Sequence, residues 1–133
     1  MKRIVFTILI FFVTTASHSK IVVWECKYSD IHNLPKNEKN WKNAKPSFEV
    51  DLEKKEVLWK NLNNSKGKVL GKNKDSDIQI TAYPHLPDSN YVQYWVVSFL
   101  KEQLIIDLIK KNKPLAPENV ENRVIYNCEE LKI

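Results

Sequence analysis

Ile21-Val22-Val23-Trp24-Glu25-Cys26-Lys27-Tyr28 carries Val22, Trp24, Cys26 and Tyr28 on one side and Glu25 and Lys27 on the other. A period of two residues is that of a half-buried β-strand, whose successive side chains point to opposite faces. Close to the other end of the chain, Val124, Tyr126 and Cys128 alternate with Arg123, Asn127 and Glu129 in the same manner. Each strand holds a cysteine on its apolar side, and the 133 residues contain no third. The two thiols have one way to pair. A bond between them would close a loop of about a hundred residues and contribute up to ~4.7 kcal/mol by the chain-entropy account. A first and a last strand tied together imply a sheet that curls until its ends meet. The expected fold class is all-β: one antiparallel domain of about six to eight strands, a small barrel or a sandwich-like meander.

Working outward, Phe48, Val50 and Leu52 alternate with Glu49, Asp51 and Glu53. Val57 and Trp59 resume beyond Lys54-Lys55, which predicts a hairpin with a charged tip. Ile78, Ile80 and Ala82 alternate with Gln79, Thr81 and Tyr83. Tyr91 to Lys111 is apolar on both faces and admits two readings. One is a pair of buried strands meeting near Lys101-Glu102-Gln103, favoured by the density of Val, Ile, Tyr, Trp and Phe. The other is one helix over 94–111, favoured because Lys-Glu-Gln is poor turn chemistry. The strand pair is the preferred reading. Ser29 to Ser47, Asn61 to Ser76, and the proline-stiffened stretches Tyr83 to Asp88 and Lys113 to Pro117 read as loops.

The chain opens with Met1-Lys2-Arg3, an apolar run from Ile4 to Val13 broken only by Thr7, and the small or polar residues Thr14 to Ser19. That is the three-part pattern of a secretory signal peptide. An apolar run of about ten residues is half of the roughly twenty that a bilayer span needs. Residues 1–19 are therefore expected to be a cleaved signal peptide, and 20–133 a single disulfide-tied domain, periplasmic or secreted. A retained anchor is the competing reading. No cysteine follows the leader directly, so a lipid-anchored form is not expected. Losing Lys2 and Arg3 leaves 19 basic against 16 acidic residues, and the formal charge falls from +5 to +3.

The chemistry on offer is thin. Two glycines in the whole chain leave no phosphate-cradling glycine loop. Neither cysteine has a second cysteine or a histidine at zinc-ligand spacing, so no metal and no cofactor is expected. His32 and His85 are the histidines beyond the leader, each near an aspartate but neither in a nucleophile motif. Asp51, Glu53, Glu102 and Asp107 supply carboxylates, but alternation assigns Asp51 and Glu53 to the solvent face, and no pair marks a glycoside hydrolase. No catalytic residue is assigned and an enzyme is not expected, a small hydrolase using His32 or His85 being the minor alternative.

Charge is unevenly spread. From Lys36 to Lys74 there are 11 basic and 5 acidic residues, and from Asp75 to Ile133 there are 6 basic and 9 acidic. Lys36-Asn37-Glu38, Lys39-Asn40-Trp41 and Lys42-Asn43-Ala44 form a short tandem repeat. Extended at three residues per turn, it would line its lysines along one edge beside Trp41. Trp24, Trp59 and Trp95 lie at inward or apolar positions, whereas Trp41 lacks apolar neighbours and, if exposed, is an anchor for a partner. Lys66, Lys68, Lys72 and Lys74 belong to the densest cationic run. The candidate partner-binding residues are thus Lys36, Lys39, Trp41, Lys42, Lys66, Lys68, Lys72 and Lys74, facing an unknown protein or an anionic envelope component. Nucleic acid is not expected. Beyond the leader there is one arginine, Arg123, against 18 lysines, and arginine is the usual fork for phosphates and base edges.

At Trp24-Glu25-Cys26 and Tyr126-Asn127-Cys128 the layout resembles small periplasmic lysozyme inhibitors of the membrane-bound and C-type group. The resemblance implies a short antiparallel barrel with an early and a late cysteine. That family's Ser-Gly-containing inhibitory loop leading to a tyrosine has no counterpart in this chain, so the resemblance assigns no site residue. The expected function is that of an exported, non-enzymatic binding protein acting through lysine-rich loops. The alternative is a carrier of an apolar small molecule in a barrel lumen, suggested by the apolar surplus of Tyr91 to Ile109.

Overall fold

Alternation in the sequence becomes eight strands in a computed structural model that describes residues 21–32, 38–84, 86 and 90–131. The expected leader, Lys36, His85 and the side chain of His32 lie outside the described residues. The strands are β1 (Ile21–His32), β2 (Ser47–Asp51), β3 (Glu56–Trp59), β4 (Ser65–Lys72), β5 (Ile78–Ile80), β6 (Tyr91–Ser98), β7 (Gln103–Lys110) and β8 (Val120–Glu130). Each pairs antiparallel with the next, and β8 returns to β1, closing an up-and-down barrel. A six-residue helix, α1 (Glu38–Asn43), joins β1 to β2. Closure follows from the length of β1: Ile21–Glu25 pairs with β2 while Trp24–His32 pairs with β8. A bulge between Tyr28 and Asp30 shifts the β1–β8 register by one residue and adds local twist.

Cys26 and Cys128 oppose one another across the β1–β8 seam, with Cα atoms 4.0 Å apart, and are disulfide-bonded. The Cys26 N–H donates outward to the Pro46 carbonyl and the Cys128 N–H to the Glu102 carbonyl. Both amides thus point away from the seam, which makes the two residues a non-hydrogen-bonded pair, the kind that brings opposed side chains closest. The link expected from the sequence joins the first strand to the last, and such bonds persist in oxidising compartments.

Inward positions supply the core. Phe48, Trp59, Trp95, Val97, Leu104, Ile106, Val124 and Tyr126 are fully buried. The Trp59 ring sits 5.3 Å from Phe48, 5.1 Å from Tyr83 and 5.8 Å from Trp95, centroid to centroid, in edge-on or tilted contacts. Such geometry suits the ring quadrupoles. Lysine, glutamate and arginine occupy outward positions at Lys66, Lys68, Glu129 and Arg123, the reverse of a membrane-spanning barrel's polarity.

Four expectations need correction or resolution. Tyr91 to Lys111 is the strand pair, not the helix over 94–111: Ser98 pairs with Gln103 around Phe99-Leu100-Lys101-Glu102. The poor turn chemistry is met by Glu102 in the left-handed region (φ 53°) and by the Ser98 hydroxyl accepting from the Lys101 N–H. Ser29 to Ser47 is not all loop. β1 runs on to His32, and 38–43 is α-helical instead of extended at three residues per turn. Asn61 to Ser76 contains β4. Asn63 and Asn64 both take positive φ (50° and 56°), and the Ser65 N–H donates to the Leu62 carbonyl, as a hairpin turn of type I′ requires. Asp51 is buried, not on the solvent face, because the β2–β3 turn folds over it: its Oδ1 accepts from the Glu53 and Lys54 N–H groups at 3.0 and 2.9 Å.

Candidate functional site

β4 is the strand on which the cationic run is displayed. Its residues alternate strictly, with Ser65, Gly67, Val69 and Gly71 half-buried and Lys66, Lys68, Leu70 and Lys72 exposed. Neighbouring members of the exposed set stand about 7 Å apart, and the row from Lys66 to Lys72 spans about 20 Å. At Gly67 the small residue is imposed by the core behind it. A Cβ on Gly67 would lie 2.2 Å from Thr81 Oγ1 and 3.2 Å from Trp59 Nε1, so only glycine lets the strand pass over the Trp59 indole. Thr81 then ties the strand in place: its hydroxyl accepts from the Lys68 N–H, and its own N–H donates to the Lys68 carbonyl.

Around the row the charge is lopsided. Between residues 54 and 74 there are seven lysines (54, 55, 60, 66, 68, 72 and 74) and one acid, Glu56. Register sets Lys68 opposite Glu56 and Lys66 opposite Leu58. Lys66, Lys68, Lys72 and Lys74 have no carboxylate within ion-pair distance among the described residues, unlike Lys110 and Lys113, which pair with Glu121, and Arg123, which pairs with Asp107. Lys74 follows the row in a turn that Asn73 organises, its Oδ1 accepting from the N–H groups of Asp75 and Asp77. Those two aspartates lie beyond the end of the row. Leu70, in the middle of the row, is 56% exposed.

The other sequence-derived candidates are placed elsewhere. Lys39 and Lys42 are exposed on α1, and the Lys42 ammonium sits 5.8 Å from the Tyr28 ring centroid. α1 connects β1 to β2, so it lies at the end of the barrel opposite Lys72 and Lys74. The lysine groups therefore do not form one cluster. Trp41 is not an exposed anchor: it is 2% exposed and packs against Trp95, with ring centroids 6.4 Å apart. The helical turn rotates it inward while its polar neighbours Asn40 and Lys42 face water, a burial that sequence neighbours alone do not reveal.

The candidate carboxylates do not converge on a reaction centre. Asp51 caps its turn, and Asp107 holds Arg123 through two hydrogen bonds of 2.6 and 2.9 Å, which raises the guanidinium's affinity for its proton. No cluster of three metal-binding side chains occurs among the described residues. A second surface feature, missed in the sequence, is a groove of about 340 Å³ beside β6 and β7, lined by Tyr94, Val96, Ile109, Leu115 and Pro117 together with the Asp107–Arg123 pair. At the α1 end, the Asn61 amide donates to the Lys45 carbonyl and the Tyr83 hydroxyl, and burial pushes the Tyr83 phenol's pKa up against that bond.

Fold and site together define a small disulfide-closed up-and-down β-barrel with a cationic strand on its outer wall. Comparison with known protein families, with curated proteins and with solved structures finds no match for this chain.

Proposed function

We propose that this chain is an exported, non-enzymatic binding protein that docks an anionic partner on the outer face of β4. The observation that carries the reading is the run of seven lysines against one acid between residues 54 and 74, three of them aligned on one strand face. Fixed like charges on a rigid sheet raise the local potential and steer an oppositely charged partner to the surface. The leader-like first nineteen residues and the formed disulfide support export. The carrier alternative is the weaker reading, because Trp41, Trp59, Trp95, Phe48 and Tyr83 crowd the interior it would need.

The test is retention of the oxidised protein on an immobilised polyanion at rising salt. Replacing Lys66, Lys68, Lys72 and Lys74 by glutamine should move elution to markedly lower salt. Replacing Lys39 and Lys42 should move it little. Equal elution of the β4 variant and the parent would remove the lysine-row reading.

A further inference from the structure

We infer that the anionic partner is a phospholipid surface, with the lysines of β4 over the headgroups and Leu70 inserted between them. The inference rests on the proposed cationic docking face and narrows its occupant. An anionic polymer in solution would be met by charge alone, yet Leu70, an apolar side chain 56% exposed, stands in the row between Lys68 and Lys72. A leucine flanked by lysines whose long stems can bend their ammonium groups outward is the arrangement an interfacial binder uses, with the apolar group below the headgroups and the cations level with them. Lysine in place of arginine fits as well, since a bilayer presents mobile phosphates that need point charges and no fixed fork.

Chain direction agrees with this placement. In an up-and-down barrel the first strand starts at the end where even-numbered strands finish. Ile21 therefore lies at the same end as Lys72, as its pairing with Asp51 at the foot of β2 requires. Three exposed apolar side chains stand at this end, Leu100, 94% exposed at the β6–β7 tip beside Lys101, with Ile21 and Leu131 at 44% and 40%, against Leu115 at the other. The acids of this end are Asp75 and Asp77 past the row, Glu129 and Glu130 on β8, Glu102 at the β6–β7 tip, and Glu53 and Glu56 on the β2–β3 hairpin, where Lys54 and Lys55 offset them. Contact is thus expected on the β4 side and not squarely end-on.

The test is sedimentation of oxidised protein, recovered after export and checked by intact mass for loss of the leader, with vesicles of phosphatidylcholine alone or mixed with phosphatidylglycerol. Inorganic polyphosphate serves as the soluble anionic probe. Binding should need phosphatidylglycerol and weaken with salt. The triple variant K66Q/K68Q/K72Q should lose about a hundredfold in affinity at low salt, at about fivefold per lysine. Leu70→Gln, on an exposed position, should keep the parent's unfolding curve and its salt dependence but lose about tenfold. If Leu70→Gln binds vesicles like the parent, or if polyphosphate is bound and vesicles are not, the lipid inference falls while the cationic face stands. If the parent binds neither probe, both fall.

Discussion

The phenol of Tyr126 on β8 donates a hydrogen bond of 2.5 Å to the main-chain carbonyl of Trp41 on α1, across 85 positions of sequence. This bond seats the helix on the open end of the barrel. A six-residue helix is far below the length at which helices persist alone, so α1 depends on what it packs against. Trp41 supplies the apolar contact and its own carbonyl the polar one.

Tyr126→Phe keeps the ring and removes the donor, leaving a buried carbonyl unpaired. The expected cost is about 1–3 kcal/mol. Urea unfolding should show a lower midpoint with an unchanged slope, since the surface exposed on unfolding is the same. A midpoint equal to the parent's would mean that the bond contributes nothing net.

The same phenol makes stability sensitive to alkali. Burial is the main cause that raises the Tyr126 pKa above its ordinary 10.0, with the fields of Tyr28 and Tyr83 adding to it. The folded protein holds this proton where the unfolded chain would release it. The contribution is therefore complete below pH 10.0 and shrinks as pH rises beyond that value. Unfolding measured from neutral pH to strong alkali should show the parent losing stability above that point faster than Tyr126→Phe.

Trp41→Ala tests whether this side chain is core or anchor. Removing a buried tryptophan costs about 3–5 kcal/mol. The variant should unfold at much lower denaturant, yet, under conditions where it stays folded, elute from a polyanion with the parent. Loss of retention with unchanged stability would return Trp41 to a binding role.

Which parts of the molecule could be read in advance follows from what each residue's partner is. Strands whose inward residues are bulky, such as Trp24 and Cys26 on β1 or Phe48 and Val50 on β2, announce themselves by alternation alone. β4 does not, because its inward set is Ser65, Gly67, Val69 and Gly71. At Gly67 the reason is Trp59 and Thr81, which reach the strand only in the folded barrel. Its one local clue was Asn63-Asn64, whose tolerance of positive φ makes a hairpin turn. Trp41 was misread for the converse reason: its neighbours in sequence are polar, and its apolar surroundings come from β6 and β8. The lysines of the site were legible as a charge run; their alignment on one face was not, since a segment taken for a loop has no faces.

The disulfide closes the β1–β8 seam, but the barrel does not depend on it for pairing, because eight residue pairs from Trp24 to His32 span the same seam. The double variant Cys26→Ala/Cys128→Ala should therefore fold to the same sheet content by circular dichroism while losing about 2–5 kcal/mol, mostly through a freer unfolded chain. A native-like spectrum with a lower midpoint is the expected result. Loss of sheet signal in native buffer would mean that closure rests on the covalent link.

Gly67 and Gly71 stand four positions apart on the same face of β4, yet alanine should act oppositely at the two. At Gly67 the new methyl would meet Thr81 Oγ1 at 2.2 Å and press on the Trp59 indole. Either the hydroxyl that accepts from the Lys68 N–H must swing away or the strand must lift, at a cost of about 1–3 kcal/mol. At Gly71 a methyl would find nothing within 4 Å, and the backbone there is not in the left-handed region. Gly71→Ala should be neutral, or stabilise by about 0.4–1 kcal/mol through the unfolded chain. Thermal unfolding of the two variants beside the parent decides it. If Gly67→Ala were as stable as Gly71→Ala, the close passage of β4 over Trp59 would not exist, and with it would go the packing that holds the lysine row in register.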